Sequence, residues 1–443
     1  MSEDSFNTIY HFTSGKMKAE TRKGIHVMRS IRYARSQRFQ YPQAIEDSED
    51  WIIPPAKIPV APQNTFDFLD KMIQKTEIDD FEVEENNQFL SIYKPISSDS
   101  KKLPILVWIH GGSYEIGCGD LPTSDPSAMV KENEIIVVAV SYRLGFLGFL
   151  GGSQERPANL GLLDIIEALK WIKKNAHNFG GDREKITLLG QSSGGDAIAH
   201  LMLVESAEEW FQKVIIQSAP LGLRLNRKKM VEQFLSRTEA LVKIQDWEEC
   251  LKHELKQRPS VVKFGLKAAM PYSVQYGEYP LCKESEAEKM WLSKAAKFDV
   301  LIGYNRDETA FYIKTQPLVQ KYLKHTFARR LSERAVQWST HKIYAHPAKD
   351  FAKLWKQGGG KIFLFELNST VENNVLGAGH CFDLPLLFGD EKIWRGAGIL
   401  QFLPWSYVEE NGIKLRRVWA SFVKGLNSFD EGCLPEVLKI QEL

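Results

Sequence analysis

Residues 190–200 read GQSSGGDAIAH and set Ser192 between glycines in a GxSxG spacing. A serine hydroxyl is a poor nucleophile at neutral pH. It needs a base to take its proton, a third group to orient that base, and N–H donors for the oxyanion that forms. The pattern alone is weak, because an idle serine in a tight turn also satisfies it. Its surroundings make it specific: the apolar run KITLL precedes it and a helical pattern follows at once. That is the strand, sharp turn and helix of a nucleophile elbow. Gly190 and Gly194 leave room for the turn, and the N-terminus of the following helix favours negative charge beside the serine. Ser192 is therefore read as a nucleophile.

The other parts of such a site are present at a distance. After the apolar run ILVWI comes HGGSYEIG, residues 110–117, a loop of the HGG type whose backbone N–H groups stabilise an oxyanion. His110 itself is read as structural. The sequence NRDETAFY offers two adjacent acids, Asp307 and Glu308, and residue types alone leave both open. Of the ten histidines, His380 follows Gly377 and Gly379 and precedes LPLLF. A lone histidine in that setting is more often structural, so local sequence does not single it out as the base.

Ser192 can be held only by a scaffold, and the central third of the chain supplies its pattern. Ile105–Ile109, Ile135–Val140, Lys185–Leu189, Val214–Ile216, Val300–Ile302 and Lys361–Leu367 are short, continuous, β-branched apolar runs, as expected of strands covered on both faces. Between them run helical periods. Ile165, Leu169, Ile172, Ala176 and Phe179 recur at steps of four and three and stop at NFGGD, and a second helix is expected over 196–204. Strands alternating with helices predict an α/β fold with a mostly parallel, doubly wound sheet, one domain over 1–443. Residues 224–292 are charge-rich and without strand signal. They are expected to form a helical insertion that serves as a cap or pocket wall.

Composition narrows the partners. With 57 Lys and Arg against 56 Asp and Glu, no net field steers the chain to nucleic acid or an anionic membrane, and a small neutral molecule is the expected partner. No stretch reaches the roughly 18 apolar residues of a membrane span. Residues 1–24 show no basic segment followed by an apolar run, which predicts no export signal. Cys118, Cys250, Cys282, Cys381 and Cys433 are odd in number and irregular in spacing, so neither a disulfide framework nor a metal site is expected. A reducing, cytoplasmic setting follows as an expectation.

The chain resembles the type-B carboxylesterases, the α/β-hydrolases that include bacterial para-nitrobenzyl esterases and cholinesterases. Seven blocks carry the resemblance in the family's order: LPILVWIHGGSYEIG, VVAVSYRLGFLGFL, NLGLLDIIEALKWIKKNAHNFGGD, ITLLGQSSGG, VIIQSAP, LIGYNRDETAFY and GAGHCFDLPLLFG. They span most of residues 85–390. The resemblance places the acid at Glu308 rather than Asp307, the base at His380, and the oxyanion donors at the N–H groups of Gly112, Ser113 and Ser193. The chain order Ser, Glu, His is the one expected of α/β-hydrolases. Glu308 and His380 are 72 residues apart, short for the family. Ser113 stands where the family commonly has glycine or alanine, Ser193 where it has alanine, and Gln191 where it often has glutamate. The extra hydroxyls are expected to hold water or alter the alcohol side of the pocket. Ser218, in IIQSAP, matches a serine near the family's triad and is expected with Tyr114 in the substrate pocket, although a plain strand-end polar residue reads equally well. Arg143 and Asp164 are expected to form a buried scaffold pair.

What the resemblance implies is a serine carboxylesterase without metal or organic cofactor, acting through an acyl-enzyme on Ser192. Tyr114 and the aromatic-rich blocks suggest an apolar pocket and small, mainly apolar esters. A lipase, an amidase or carbamate hydrolase of the same fold, and a non-catalytic cholinesterase-like binding protein are the alternatives. The charge of residues 224–292 argues against an apolar lipase lid.

Overall fold

The computed structural model describes residues 8–64, 67–73, 80–96, 102–371, 374–401, 403–426, 429 and 436–443. Cys433 and residues 1–7 lie outside them. Ten strands form one mixed sheet: β1 Glu20–Arg22, β2 Ile25–Arg32, β3 Phe89–Pro95, β4 Leu103–Ile109, β5 Ile136–Val140, β6 Gly181–Gln191, β7 Lys213–Gln217, β8 Asp299–Asn305, β9 Ile362–Leu367 and β10 Leu438–Glu442. Their spatial order is β10-β9-β8-β7-β6-β4-β5-β3-β2-β1. The middle, from β9 across to β5, is parallel throughout, and antiparallel strands close both edges.

Each apolar run forms a strand because both of its faces are covered. Ile105, Val107 and Ile109 of β4 pack into one cluster with Ile186 and Leu188 of β6 and Val300 and Ile302 of β8. Leu106, Trp108, Leu189 and Leu301 point to the other face. The first face is covered by α1 (Leu160–Asn175) and α2 (Ser193–Leu201), whose Ile165, Leu169, Ile172 and Ile198 join that cluster. The second face is covered by α8 (Asp383–Leu387) and α9 (Trp405–Lys424), through Leu386, Leu415 and Trp419. The stripe expected to run on to Phe179 does so: α1 tightens into one turn of 3₁₀ helix, Ala176–Phe179, and stops at Gly180.

Residues between β7 and β8 are helical, with α3 (Lys228–Arg237), α4 (Trp247–Gln257) and α5 (Ala287–Lys294). Between β8 and β9 come α6 (Thr326–Thr340) and α7 (His346–Gln357), joined by a π turn at His341–Ala345. The expected pair is present: Arg143 donates from Nη2 to Asp164 Oδ1 at 2.7 Å and from Nε to Oδ2 at 2.8 Å, with both side chains buried. It ties the loop after β5 to α1, and this two-bond geometry with buried partners is the strong form of an ion pair. No described helix is long and apolar enough to cross a membrane.

Candidate active site

The elbow follows from packing. β6 ends at Gln191 and α2 begins at Ser193, so Ser192 alone makes the turn, at φ 56° and ψ −126°. That conformation costs a non-glycine residue on the order of 1–3 kcal/mol. It is held by Ser192 N, which donates to Gln217 O at 2.9 Å, and by Asp196 N, which donates to Ser192 O at 3.0 Å. The two glycines permit the close approach. A Cβ on Gly194 would lie 2.1 Å from Ile109 O, and one on Gly190 would lie 2.5 Å from the backbone of Gly194. Ser192 occupies the N-cap of α2, where a serine hydroxyl normally accepts from an N–H of the first turn. It makes no such bond. The hydroxyl points instead to His380.

Ser192 Oγ lies 2.9 Å from His380 Nε2, and His380 Nδ1 lies 2.5 Å from Glu308 Oε2. All three side chains are buried. Glu308 stands in the turn after β8, where its Oε1 accepts from Asn305 N at 2.8 Å and its carbonyl accepts from His380 N at 2.9 Å. Both carboxylate oxygens and the backbone of the acid are thereby fixed relative to the imidazole. Asp307, the other acid that residue types left open, faces away from the ring. It accepts from Ala378 N at 3.2 Å, Arg306 Nε at 3.0 Å and Gln337 Nε2 at 3.0 Å. It clamps the loop that carries His380.

Several supporting groups were not legible in the sequence. Asn305 Nδ2 donates to Gly379 O at 2.9 Å. Asp383 accepts from Gln217 Nε2 at 2.7 Å, and Gln217 Oε1 accepts from Trp419 Nε1 at 3.0 Å. Burial, with the negative Glu308 nearby, pushes the Asp383 carboxyl up to about 7. The rings of Phe311, Tyr312 and Tyr344 stand 6.3, 5.6 and 5.4 Å from that of His380, walls that limit its rotation. Gln191 Nε2 is 3.4 Å from His380 Nε2. The position of Asp383, three residues after His380 at the head of an apolar helix, is the one local signal that could have found this network.

The loop after β4 lies against the elbow: a Cβ on Gly111 would fall 3.1 Å from Ser192 Cβ. It is closed by Glu115 N and Ile116 N, which donate to Gly112 O at 2.9 and 3.1 Å. Ser113 and Tyr114 adopt positive φ, 58° and 62°. Among the described residues, none accepts a hydrogen bond from the N–H groups of Gly112, Ser113 or Ser193, which leaves three donors available beside Ser192. His110 is neutral at physiological pH, since burial lowers its pKa to about 4, and it stacks on Tyr142 at 4.4 Å.

Three expectations about the pocket change. Tyr114 does not line it. Its ring is fully buried beneath the loop, and its hydroxyl donates to Asp196 Oδ2 at 2.6 Å, because positive φ at 113 and 114 turns that side chain into the core. Ser218 is also absent from the lining and fully buried, at the end of β7. The Ser193 hydroxyl does not face the alcohol side: it is buried and accepts from Tyr114 N at 3.1 Å, binding the loop to the elbow.

The cavity itself measures about 360 Å³. Gly112, Ser113, Gln191 and His380 form one wall, and Leu69, Ile73, Trp108, Leu121, Phe311 and Leu384 supply apolar surface. Arg258 and Ala269, from between β7 and β8, complete the rim, and Arg258 pairs with both Glu115 and Glu254.

Comparison with known proteins identifies a family. Residues 11–337 match the family model described as the carboxylesterase family. The match ends before His380. Among curated relatives, a probable N-octanoylanthranilate hydrolase from Rhodococcus erythropolis is 31% identical over 422 residues, covering 93% of this chain and 91% of the relative. The para-nitrobenzyl esterase of Bacillus subtilis is 29% identical, covering 85% and 82%. A phenmedipham hydrolase from Pseudarthrobacter oxydans is 28% identical, covering 76% and 73%. The solved structure of a thermophilic PNB esterase superposes with a TM-score of 0.79 at 26% identity, covering 94% of this chain and 91% of that one.

Proposed function

Because the chain belongs to the carboxylesterase family and is a carboxylic ester hydrolase, we propose that it works by serine acyl transfer on small, mainly apolar esters. The observation that carries this reading is the continuous line from Ser192 Oγ through His380 to Glu308, at 2.9 and 2.5 Å. With Nδ1–H donated to Glu308, His380 Nε2 presents its lone pair to the serine hydroxyl. As Oγ bonds to the ester carbonyl carbon, the proton passes to Nε2, and Glu308 stabilises the imidazolium. The carbonyl electron pair moves to oxygen, where the N–H groups of Gly112, Ser113 and Ser193 receive it. Each such donor contributes about 3 kcal/mol in comparable sites. The tetrahedral adduct collapses, the C–O bond to the alcohol breaks, and Nε2 returns the proton to the leaving oxygen. Water then repeats the sequence on the acyl-enzyme.

A pocket of about 360 Å³ with apolar side chains around its wall suits one short acyl or aryl group, at the small end of the usual range for ligand sites. Similarity to a probable N-octanoylanthranilate hydrolase favours one second reading, cleavage of an N-acyl bond. The same steps serve, with the proton on Nε2 delivered to a leaving amine.

Incubating the protein with para-nitrophenyl acetate, butyrate and octanoate, an N-octanoyl anilide and a fluorophosphonate probe tests both readings. Ester turnover and probe uptake are expected, and both are expected to vanish in Ser192→Ala. Full activity in Ser192→Ala would remove the assignment, and faster anilide than ester turnover would favour the second reading.

A further inference from the structure

Helix α6 presents its faces in the reverse of the usual sense. A packed helix buries its apolar stripe, yet the residues α6 buries are Ser332, Val336, Ser339 and Thr340. These sit on the turn beside the acid: Thr309 Oγ1 lies 2.6 Å from Ser339 Oγ, and Thr309 N donates to Thr340 Oγ1 at 3.2 Å. At about 100° per residue, Phe327, Leu331 and Trp338 share the opposite face, within about 40° of one another. They are 81%, 58% and 59% exposed. The preceding short helix, Pro317–Tyr322, adds Leu318 at 75% and Tyr322 at 49%. Gln316 and Tyr312, next in the chain toward the acid, line the pocket. An apolar surface thus borders the cavity mouth.

Charge says what covers it. From Lys314 to Lys342 there are seven Lys and Arg and one acid, Glu333, in a chain whose 57 basic and 56 acidic residues nearly balance as a whole. Glu333 faces Arg329 at 3.8 Å. Arg330 and Arg334, both exposed, flank the apolar stripe at helical spacing. Lys342 Nζ stands 5.1 Å from the Trp338 ring, an aromatic and cation paired as at a water–lipid boundary. A second copy of this chain packed by the same face would bring like charge against like. A neutral protein would leave the cations unmatched. A surface offering both acyl chains and phosphates satisfies the two together.

We propose that residues 314–342 seat the pocket mouth on an anionic lipid surface, with Phe327, Leu331 and Trp338 entering the headgroup layer and Arg330 and Arg334 meeting lipid phosphates. Binding itself does not depend on the esterase reading. What the surface delivers, lipophilic esters, rests on it.

The test is cosedimentation of the full chain with vesicles of phosphatidylcholine alone, or of equal parts phosphatidylcholine and phosphatidylglycerol, at low and high salt. Binding to the anionic vesicles, weakened by salt, is expected. Arg330→Gln with Arg334→Gln should weaken it roughly thirtyfold, from the usual contribution of a basic residue near an anionic surface. Phe327→Ser with Leu331→Ser should weaken it at both salt concentrations. All these variants should hydrolyse dissolved para-nitrophenyl acetate at the wild-type rate, which shows that they fold. Absence of binding to anionic vesicles overturns the proposal, as does binding indifferent to the Phe327 and Leu331 changes, or a dimer that those changes dissolve. If the wild type binds vesicles but cleaves no ester, the lipid surface stands and the esterase reading falls.

Discussion

Glu308→Gln and Asp307→Asn remove one charge each from neighbouring residues, and the geometry assigns them very different effects. Glu308 Oε2 lies 2.5 Å from His380 Nδ1, while Oε1 accepts from Asn305 N at 2.8 Å. At an effective dielectric constant of 20, a full ion pair at that separation is worth about 6 kcal/mol, and it exists only once His380 carries the serine proton. A glutamine has one oxygen for two donors. If the oxygen stays on Asn305 N, the amide NH₂ faces Nδ1 and forces the imidazole proton onto Nε2, the tautomer that cannot accept from Ser192. If the amide turns over, its NH₂ meets the buried Asn305 N–H. Either arrangement forfeits most of the charge stabilisation, so kcat should fall by roughly a thousand- to ten-thousandfold with KM little changed. Asp307, by contrast, meets Ala378 N, Arg306 and Gln337, and the Gln337 amide can turn to accept from an asparagine. Losing one hydrogen bond there is worth about 1–2 kcal/mol, which limits the fall in kcat to about tenfold and lowers the melting temperature. Steady-state kinetics on para-nitrophenyl butyrate separate the two. A larger kcat loss from Asp307→Asn, or a loss under tenfold from Glu308→Gln, refutes the reasoning.

Two further outcomes follow from packing and burial. Gly194→Ala places a methyl 2.1 Å from Ile109 O and 2.6 Å from His110 O, with backbone on every side and no rotamer to relieve it. Destabilisation of about 3 kcal/mol or more is expected, read as a lowered denaturation midpoint, and a wild-type midpoint would refute the close packing of β4 against α2. Asp383, held near 7 by burial against an ordinary 3.8, keeps its proton in the folded chain where the unfolded chain has lost it. The folded state then binds more protons at this group between these values, so the contribution of Asp383 to stability is greatest below pH 3.8 and declines as pH rises toward 7. Asp383→Asn removes that decline. The melting temperature of the variant relative to wild type should therefore rise from about pH 4 to 7 and then level off. A difference that stays constant with pH would rule this out.

The parallel half of the sheet was legible because burial on both faces leaves an uninterrupted apolar run, and such runs need no partner to be recognised. The edge strands were not. β1 and β2 carry Glu20, Arg22, Arg29 and Arg32, and their pairing joins residues 25–32 to 89–95, a relation that no local period records. The elbow was legible because Gly190, Ser192 and Gly194 are adjacent. The rest of the site is not adjacent in this way. Choosing between Asp307 and Glu308 depends on which way a turn sends two consecutive side chains, and selecting His380 depends on a contact across 188 residues. Tyr114 shows the limit most sharply: one residue beyond an expected oxyanion donor, it points into the core because positive φ at 113 and 114 reverses the loop.

The segment between Glu308 and His380 is short for the family resemblance, yet it carries nearly every contact that orients the imidazole. It opens on the acid, turns at Thr309 under the hydroxyl face of α6, and sends Gln337 back to Asp307. The π turn that follows holds Tyr344, 5.4 Å from the His380 ring. β9 then pairs with β8 from Val300 to Asn305, which brings the chain back to the acid turn, where Asp307 N donates to Ala378 O at 3.0 Å and Asp307 Oδ2 accepts from Ala378 N at 3.2 Å. The inner face buries Val336 among hydroxyl groups that bond to Thr309, and the large apolar side chains point outward. The segment that holds His380 in place thus also carries Phe327, Leu331 and Trp338 on its exposed face.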